Sequence, residues 1–88
     1  MKQNVNDNIN EKNDWRLQGQ DKYLSNLPLT VCEVDSSVNE HEHCEFCGCK
    51  FGKNEEDLHE GYCTLDKYHW ICKPCFNDFK EMFKWKLI

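Results

Sequence analysis

The chain has 88 residues, seven cysteines and a net charge of −5. A chain of this length forms one domain and buries only about 60–65% of its unfolded surface. We therefore expect a covalent cross-link or a bound metal ion to supplement its core. The acidic balance disfavours non-specific nucleic-acid binding, because few phosphates would be neutralised. No apolar run approaches the roughly 18 residues of a membrane span.

The first residues are polar and do not form a secretion signal. Residues 1–13 are rich in asparagine and lack apolar periodicity, so we predict a disordered lead followed by a single domain over residues 14–88. A chain without an export signal stays in the reducing cytoplasm, where thiols bind metal or react rather than cross-link. The odd number of cysteines agrees, because full disulfide pairing would leave one thiol over. We therefore expect a cytoplasmic, metal-binding protein.

A short helix and a strand are expected at the start of the domain. Residues 19–26 could form the helix, which must end before Pro28. Residues 29–34 are rich in β-branched side chains and predict a strand. Trp15 is expected to pack in the core, and residues 35–42 should form a polar, acidic loop.

A hairpin and a longer helix are expected in the second half. Two short runs, residues 61–65 and 68–72, are joined by Asp66 and Lys67, which suits a two-residue hairpin connection. The apolar period then becomes helical, and Pro74 suits the first helical position because its missing N–H costs nothing there. One stripe of this helix should face the core: Phe76, Phe79, Met82 and Phe83.

Two CxxC motifs carry the clearest chemical signal. Cys44 and Cys47 form the first pair, and Cys72 and Cys75 form the second after 24 intervening residues. Zinc requires tetrahedral coordination, and two residues between thiolates let one tight turn present both to one ion. Gly48 can take the positive φ that such a turn needs, and the start of the predicted helix favours a thiolate at its second cysteine. We predict these four cysteines to be the ligands of one structural zinc, and we predict no catalytic residue.

The order of a zinc turn, a hairpin and a helix carrying the last ligand pair resembles the treble-clef zinc fingers over residues 43–86. This resemblance implies a small zinc-stabilised α+β domain, to which the N-terminal helix and strand are added. A wider string also resembles a family of small uncharacterised bacterial proteins and implies no activity: Asp14-Trp15-Arg16-Leu17, Cys44-Glu45-Phe46-Cys47, Trp70-Ile71-Cys72 and Cys75-Phe76 with Phe79, Phe83 and Trp85.

The other possible donors leave alternatives open. Cys49 could shift the ligand set by two residues, because it follows Cys47 in a CxC arrangement. His41 or His43 could replace a cysteine or donate a hydrogen bond to a thiolate. Cys32 and Cys63 are expected to be small, buried apolar side chains.

Two enzymatic interpretations are disfavoured. Residues 70–75 contain a tryptophan followed by a Cys-x-Pro-Cys motif that resembles thioredoxin, but only 13 residues follow Cys75, too few for the strands that such a fold needs. His43 and Glu45 match half of a zinc deaminase signature, but the other half is absent. A zinc with four thiolates also has no open position for water.

We therefore expect a protein-interaction or adaptor module whose partner is another protein. The alternative is specific nucleic-acid binding through a basic and aromatic surface on residues 80–86, where three lysines accompany Phe83 and Trp85. The competing structural interpretation of that segment is a helix end whose lysines complement the helix dipole and whose aromatic side chains lie in the core.

Overall fold

The fold, seen in a computed structural model that describes residues 14–35, 37 and 40–88, is a small α+β structure. It has a mixed four-stranded sheet, a separate two-stranded hairpin and a C-terminal helix. The disordered lead expected for residues 1–13 lies outside the described residues. Within the described part of the chain, no helix is both long and apolar enough to cross a membrane.

The elements in chain order are α1 (Asp21–Leu24), β1 (Pro28–Glu33), β2 (Glu42–His43), β3 (Lys50–Phe51), β4 (Glu60–Thr64), β5 (Trp70–Ile71), α2 (Lys73–Phe83) and β6 (Lys86–Leu87). The four-stranded sheet has the order β5-β4-β1-β6. Strand β1 pairs antiparallel with β4 and parallel with β6, and β4 pairs antiparallel with β5. Strands β2 and β3 form the separate hairpin.

The N-terminal helix and strand are both confirmed, with different ends. Helix α1 is shorter than predicted because Ser25 is already extended and Asn26 takes a φ of 64°. The Asn26 N–H donates to the carbonyl oxygen of Phe83 at 2.7 Å, which joins the end of α1 to the end of α2. Strand β1 places Leu29 and Cys32 in the core.

The prediction of a two-residue turn between β4 and β5 was wrong, because the connection is longer. Five residues, 65–69, separate the strands. The Asp66 carboxylate accepts hydrogen bonds from the Thr64 hydroxyl at 2.5 Å and the Tyr68 N–H at 3.0 Å. One carboxylate thus binds groups on both sides of the turn, which stabilises the wider connection. Lys67, with a φ of 62°, completes it.

Helix α2 buries three of the four predicted stripe residues, Phe76, Phe79 and Phe83. The fourth prediction was wrong, since Met82 is 36% exposed. The 100° step between helical residues places Met82 at the edge of the buried stripe, next to Cys75 and on the side opposite Phe76. Pro74 is the second residue of the helix rather than the first, with Cys72 as N-cap.

The C-terminus forms strand β6, which the sequence analysis did not predict. Lys84, with a φ of 57°, ends α2 and turns the chain back toward β1. Trp85 is buried, and its indole N–H donates to the carbonyl oxygen of Leu24 at 2.8 Å. Phe83 and Trp85 therefore belong to the core, as the structural interpretation of residues 80–86 has it, and the alternative basic and aromatic surface lacks both aromatic side chains.

The expectation that Trp15 packs in the core was wrong, because its side chain is 67% exposed. A turn closed by the Leu17 N–H on the Asp14 carbonyl oxygen, at 3.0 Å, directs Trp15 outward. Arg16 and Leu17 are half-buried instead.

Cys32 and Cys63 are buried as expected, but they form a disulfide rather than two separate apolar contacts. They lie on the paired strands β1 and β4, where Cys32 faces Gly61 and Cys63 faces Thr30. Their Cα atoms are 6.1 Å apart, within the range that disulfides span. The disulfide depends on the strand register, which places the two cysteines diagonally across the sheet.

Candidate metal centre

Four thiols from distant parts of the chain converge at one point. The sulfur atoms of Cys44, Cys47, Cys72 and Cys75 all lie within 4.8 Å of one another. Three of these cysteines are buried and Cys47 is half-buried. The structure thus brings together both CxxC pairs that the sequence singled out, as a group that could hold a metal ion.

The β2–β3 hairpin shapes the first pair. The Cys44 N–H donates to the Cys49 carbonyl oxygen at 2.9 Å, and the Gly48 N–H donates to the Cys44 carbonyl oxygen at 3.1 Å. Gly48 has the predicted positive φ, 79°. The Phe46 N–H points at the Cys44 sulfur, 3.4 Å away. The tight turn therefore directs its two thiols, and one N–H, toward the same point.

The start of α2 positions the second pair. Cys72 is the N-cap and Cys75 lies in the first turn, where unpaired N–H groups and the helix dipole favour negative charge. The Cys72 N–H donates to the Cys44 sulfur at 3.4 Å, so the two pairs are also linked directly. The Glu45 N–H donates to the Trp70 carbonyl oxygen at 2.9 Å and aligns the hairpin with β5.

The donor set and its spacing fit zinc. Tetrahedral zinc with thiolate bonds of about 2.3 Å holds its sulfur atoms about 3.8 Å apart. The Cys47 and Cys72 sulfur atoms are 3.6 Å apart, close to that value. Soft thiolates in a tetrahedral S4 arrangement are typical of zinc or iron–sulfur sites and exclude the oxygen-seeking cations magnesium and calcium.

The thiols differ in their pKa values. Burial raises the pKa of Cys72 to about 12 and also raises that of Cys75. Burial alone would raise the pKa of Cys47, but hydrogen bonds from the Cys49 backbone and thiol outweigh it and lower that pKa to about 7. Since metal ligands must be deprotonated, a bound cation would displace protons from the buried thiols.

Arg16 contacts the group from the opposite end of the chain. Its guanidinium donates to the Cys75 sulfur at 3.5 Å and lies 4.5 Å from the centre of the Phe79 ring. Asp14, 2.7 Å away, and Asp78, 3.1 Å away, hold it in place. Hydrogen bonding to Asp14 raises the pKa of Arg16 and lowers that of Asp14. The sequence gives no signal for this role, because no spacing rule links Arg16 to Cys75, 59 residues later.

Glu45, between the two cysteines of the first pair, binds the turn to the rest of the domain. Its carboxylate contacts His69 Nδ1 at 2.7 Å and accepts a hydrogen bond from the Tyr23 hydroxyl at 3.2 Å. Its carbonyl oxygen accepts a hydrogen bond from the buried Gln20 amide at 3.0 Å. His69, which carried no signal in the sequence, therefore helps to fix the turn.

The alternative donors lie outside the group of four. The Cys49 sulfur is 3.2 Å from that of Cys47, and Cys49 is half-buried. The exposed His41 and His43 rings contact each other edge to face, with centroids 5.0 Å apart. Neither histidine contributes a ligand atom to the cysteine group.

A cavity of about 670 Å³ opens beside the cysteines. Four cysteines line it, Cys47, Cys49, Cys72 and Cys75, and its walls include three exposed residues, Trp15, Leu58 and Pro74. This partly apolar opening therefore gives access to the cysteine group from one side.

Comparison with known proteins identifies no relatives. No family model, no curated protein and no solved structure matches the chain. The comparisons therefore assign the chain to no family, and the four-cysteine group is the part of the resemblance that the structure supports.

Proposed function

We propose that Cys44, Cys47, Cys72 and Cys75 bind one structural zinc in a treble-clef-like arrangement. The observation that carries this proposal is the convergence of the four sulfur atoms within 4.8 Å. The β2–β3 turn, the β4–β5 hairpin and the start of α2 follow one another in the treble-clef order. Zinc bound there would join the turn to the start of the helix.

The role of this zinc is structural rather than catalytic. Four thiolates complete its tetrahedral shell, so no position remains for a water or a substrate. Zinc in such sites contributes on the order of 10–16 kcal/mol of apparent binding free energy near neutral pH. Because a domain of this size has only a few kcal/mol of net stability, the metal decides whether residues 43–86 fold.

The cellular role we propose is that of a protein-interaction module. Trp15, Leu58 and Pro74 present apolar surface at the mouth of the cavity beside the cysteines. Tryptophan is enriched among the residues that carry binding energy in protein interfaces. The net charge of −5 favours a basic protein as the partner, and four thiolates with one zinc add about two further negative charges.

Cobalt substitution tests the metal site. Cobalt(II) bound by four thiolates should give the intense visible and near-ultraviolet bands of tetrahedral sulfur coordination. Cys72→Ser should weaken or shift those bands, while Cys49→Ser should leave them unchanged. Bands that respond to Cys49→Ser but not to Cys72→Ser would assign the ligands differently.

Paired aromatic substitutions test the interaction surface. Trp15→Ala should abolish retention of a basic partner on immobilised zinc-loaded protein. Tyr68→Ala, which removes an equally exposed aromatic side chain away from the cavity, should preserve it. Equal retention by wild type and Trp15→Ala would rule out this surface.

A further inference from the structure

A fifth thiol lies against the proposed zinc ligands. The Cys49 sulfur is 3.2 Å from the Cys47 sulfur, closer than the 3.6 Å between Cys47 and Cys72. Cys49 does not belong to the group of four. A ligand thiol and a non-ligand thiol are thus neighbours at one edge of the site, where a bond between their sulfur atoms would remove a zinc ligand.

This pair is the exposed edge of the site. Cys44, Cys72 and Cys75 have exposures of 4%, 3% and 1%, whereas Cys47 and Cys49 are half-buried. Both of the half-buried thiols line the cavity of about 670 Å³, which a small solute can enter. Cys72 and Cys75 line the same cavity but are almost fully buried, so an oxidant arriving through it meets the two half-buried thiols first.

The chain between the two thiols can accommodate a bond. Gly48 separates them and takes a φ of 79°, a conformation that glycine adopts without strain. Apart from its two chain neighbours, no heavy atom lies within 4 Å of the position that a Cβ on Gly48 would occupy. No other residue is therefore packed at that position to oppose a small adjustment of the backbone.

We propose that Cys47 and Cys49 form a peroxide-sensitive pair whose oxidation to a disulfide releases the zinc. This inference rests on the proposed function, because it takes Cys47 as a zinc ligand. The oxidant is a hydroperoxide that enters the site, and the product is a bond between the Cys47 and Cys49 sulfur atoms.

The chemistry balances with hydrogen peroxide as the oxidant. The Cys47 thiolate attacks one peroxide oxygen, breaks the O–O bond and becomes a sulfenic acid, while the other oxygen leaves as hydroxide and is protonated to water. The Cys49 sulfur then attacks the Cys47 sulfur and expels the hydroxyl group, which takes the Cys49 proton and leaves as a second water. The Cys47 thiolate and the Cys49 thiol together lose two electrons, which the peroxide gains, and the site is left with three thiolates, which hold zinc too weakly to keep it.

The experiment treats the zinc-loaded full chain with hydrogen peroxide and follows zinc release with a chromogenic chelator. Peptide mapping without reductant then locates the oxidation. Wild type should release one zinc per chain as the peptide containing Cys47 and Cys49 loses two hydrogen atoms, about 2 Da. Dithiothreitol and added zinc should restore the loaded form.

The matched variant is Cys49→Ser, which keeps all four proposed ligands. It should bind zinc as wild type does but release it roughly tenfold more slowly, with sulfinic acid at Cys47 replacing the disulfide. Equal release rates, or a disulfide mapped between Cys47 and Cys72, would overturn this inference while leaving the zinc site intact. An untreated chain that binds no zinc would overturn the proposed function as well.

Discussion

Arg16 is the side chain outside the cysteines that supports the site most directly. It donates to the Cys75 sulfur while Asp14 and Asp78 hold its guanidinium in place. A cation beside a thiolate favours the deprotonated form that binds metal. Arg16 is thus expected to act on the metal through Cys75 rather than by binding it.

Arg16→Gln should therefore weaken zinc binding without removing it. Loss of a side chain that orients a metal ligand typically lowers metal affinity about 10–100-fold. Competition titration against a zinc chelator measures the change. Lys22→Gln removes an exposed positive charge elsewhere and should leave the affinity unchanged. An unaltered affinity in Arg16→Gln would assign Arg16 to fold stability alone.

At the scale of elements, helix α2 connects the metal centre to the aromatic core. Its first turn carries Cys75, and the same face continues through Phe76, Phe79 and Phe83. Phe46, from the turn of the first cysteine pair, packs against Phe79 with ring centroids 4.9 Å apart. The packing of α2 and the geometry of the cysteine group therefore depend on one another.

Adjacent substitutions in α2 test that dependence. Phe83→Ala should cost about 3–5 kcal/mol of stability, because it empties a buried site between aromatic rings. Met82→Ala should cost much less, since that side chain is partly exposed. Urea unfolding of the zinc-loaded chains provides the comparison. Equal costs would mean that the helix faces the core differently.

Local patterns in the sequence predicted the main elements but not their tertiary pairing. Helix α2 followed from apolar spacing and the cysteine turn from the CxxC motif, because both signals lie within a few neighbouring residues. The five-residue turn after β4 depends on hydrogen bonds made by Asp66. The disulfide and the Arg16 contact depend on register and on residues far apart in sequence, which single-sequence periodicity does not encode.

At the scale of the whole molecule, two cross-links join different pairs of elements. The Cys32–Cys63 disulfide joins β1 to β4 across 31 residues of sequence. A disulfide closing such a loop contributes about 2–4 kcal/mol. The proposed zinc joins the β2–β3 turn to α2. Together they supplement a hydrophobic core that a chain of 88 residues keeps small.

Alkylation of the denatured chain tests the disulfide. With chelator present and reductant absent, the five free cysteines should be labelled, and all seven should be labelled after reduction. Mass spectrometry counts the added groups. Seven labels without reductant would show that Cys32 and Cys63 are free thiols, and the bound metal would then be the remaining cross-link.

The most direct measurement is native mass spectrometry with and without chelator, alongside far-UV circular dichroism. One zinc per chain should be bound, and chelation should remove the metal together with the ordered structure of residues 43–86, because the site joins elements that the core alone holds weakly. A metal-free chain that keeps its full secondary structure would contradict the account of Cys44, Cys47, Cys72 and Cys75 as a structural zinc site.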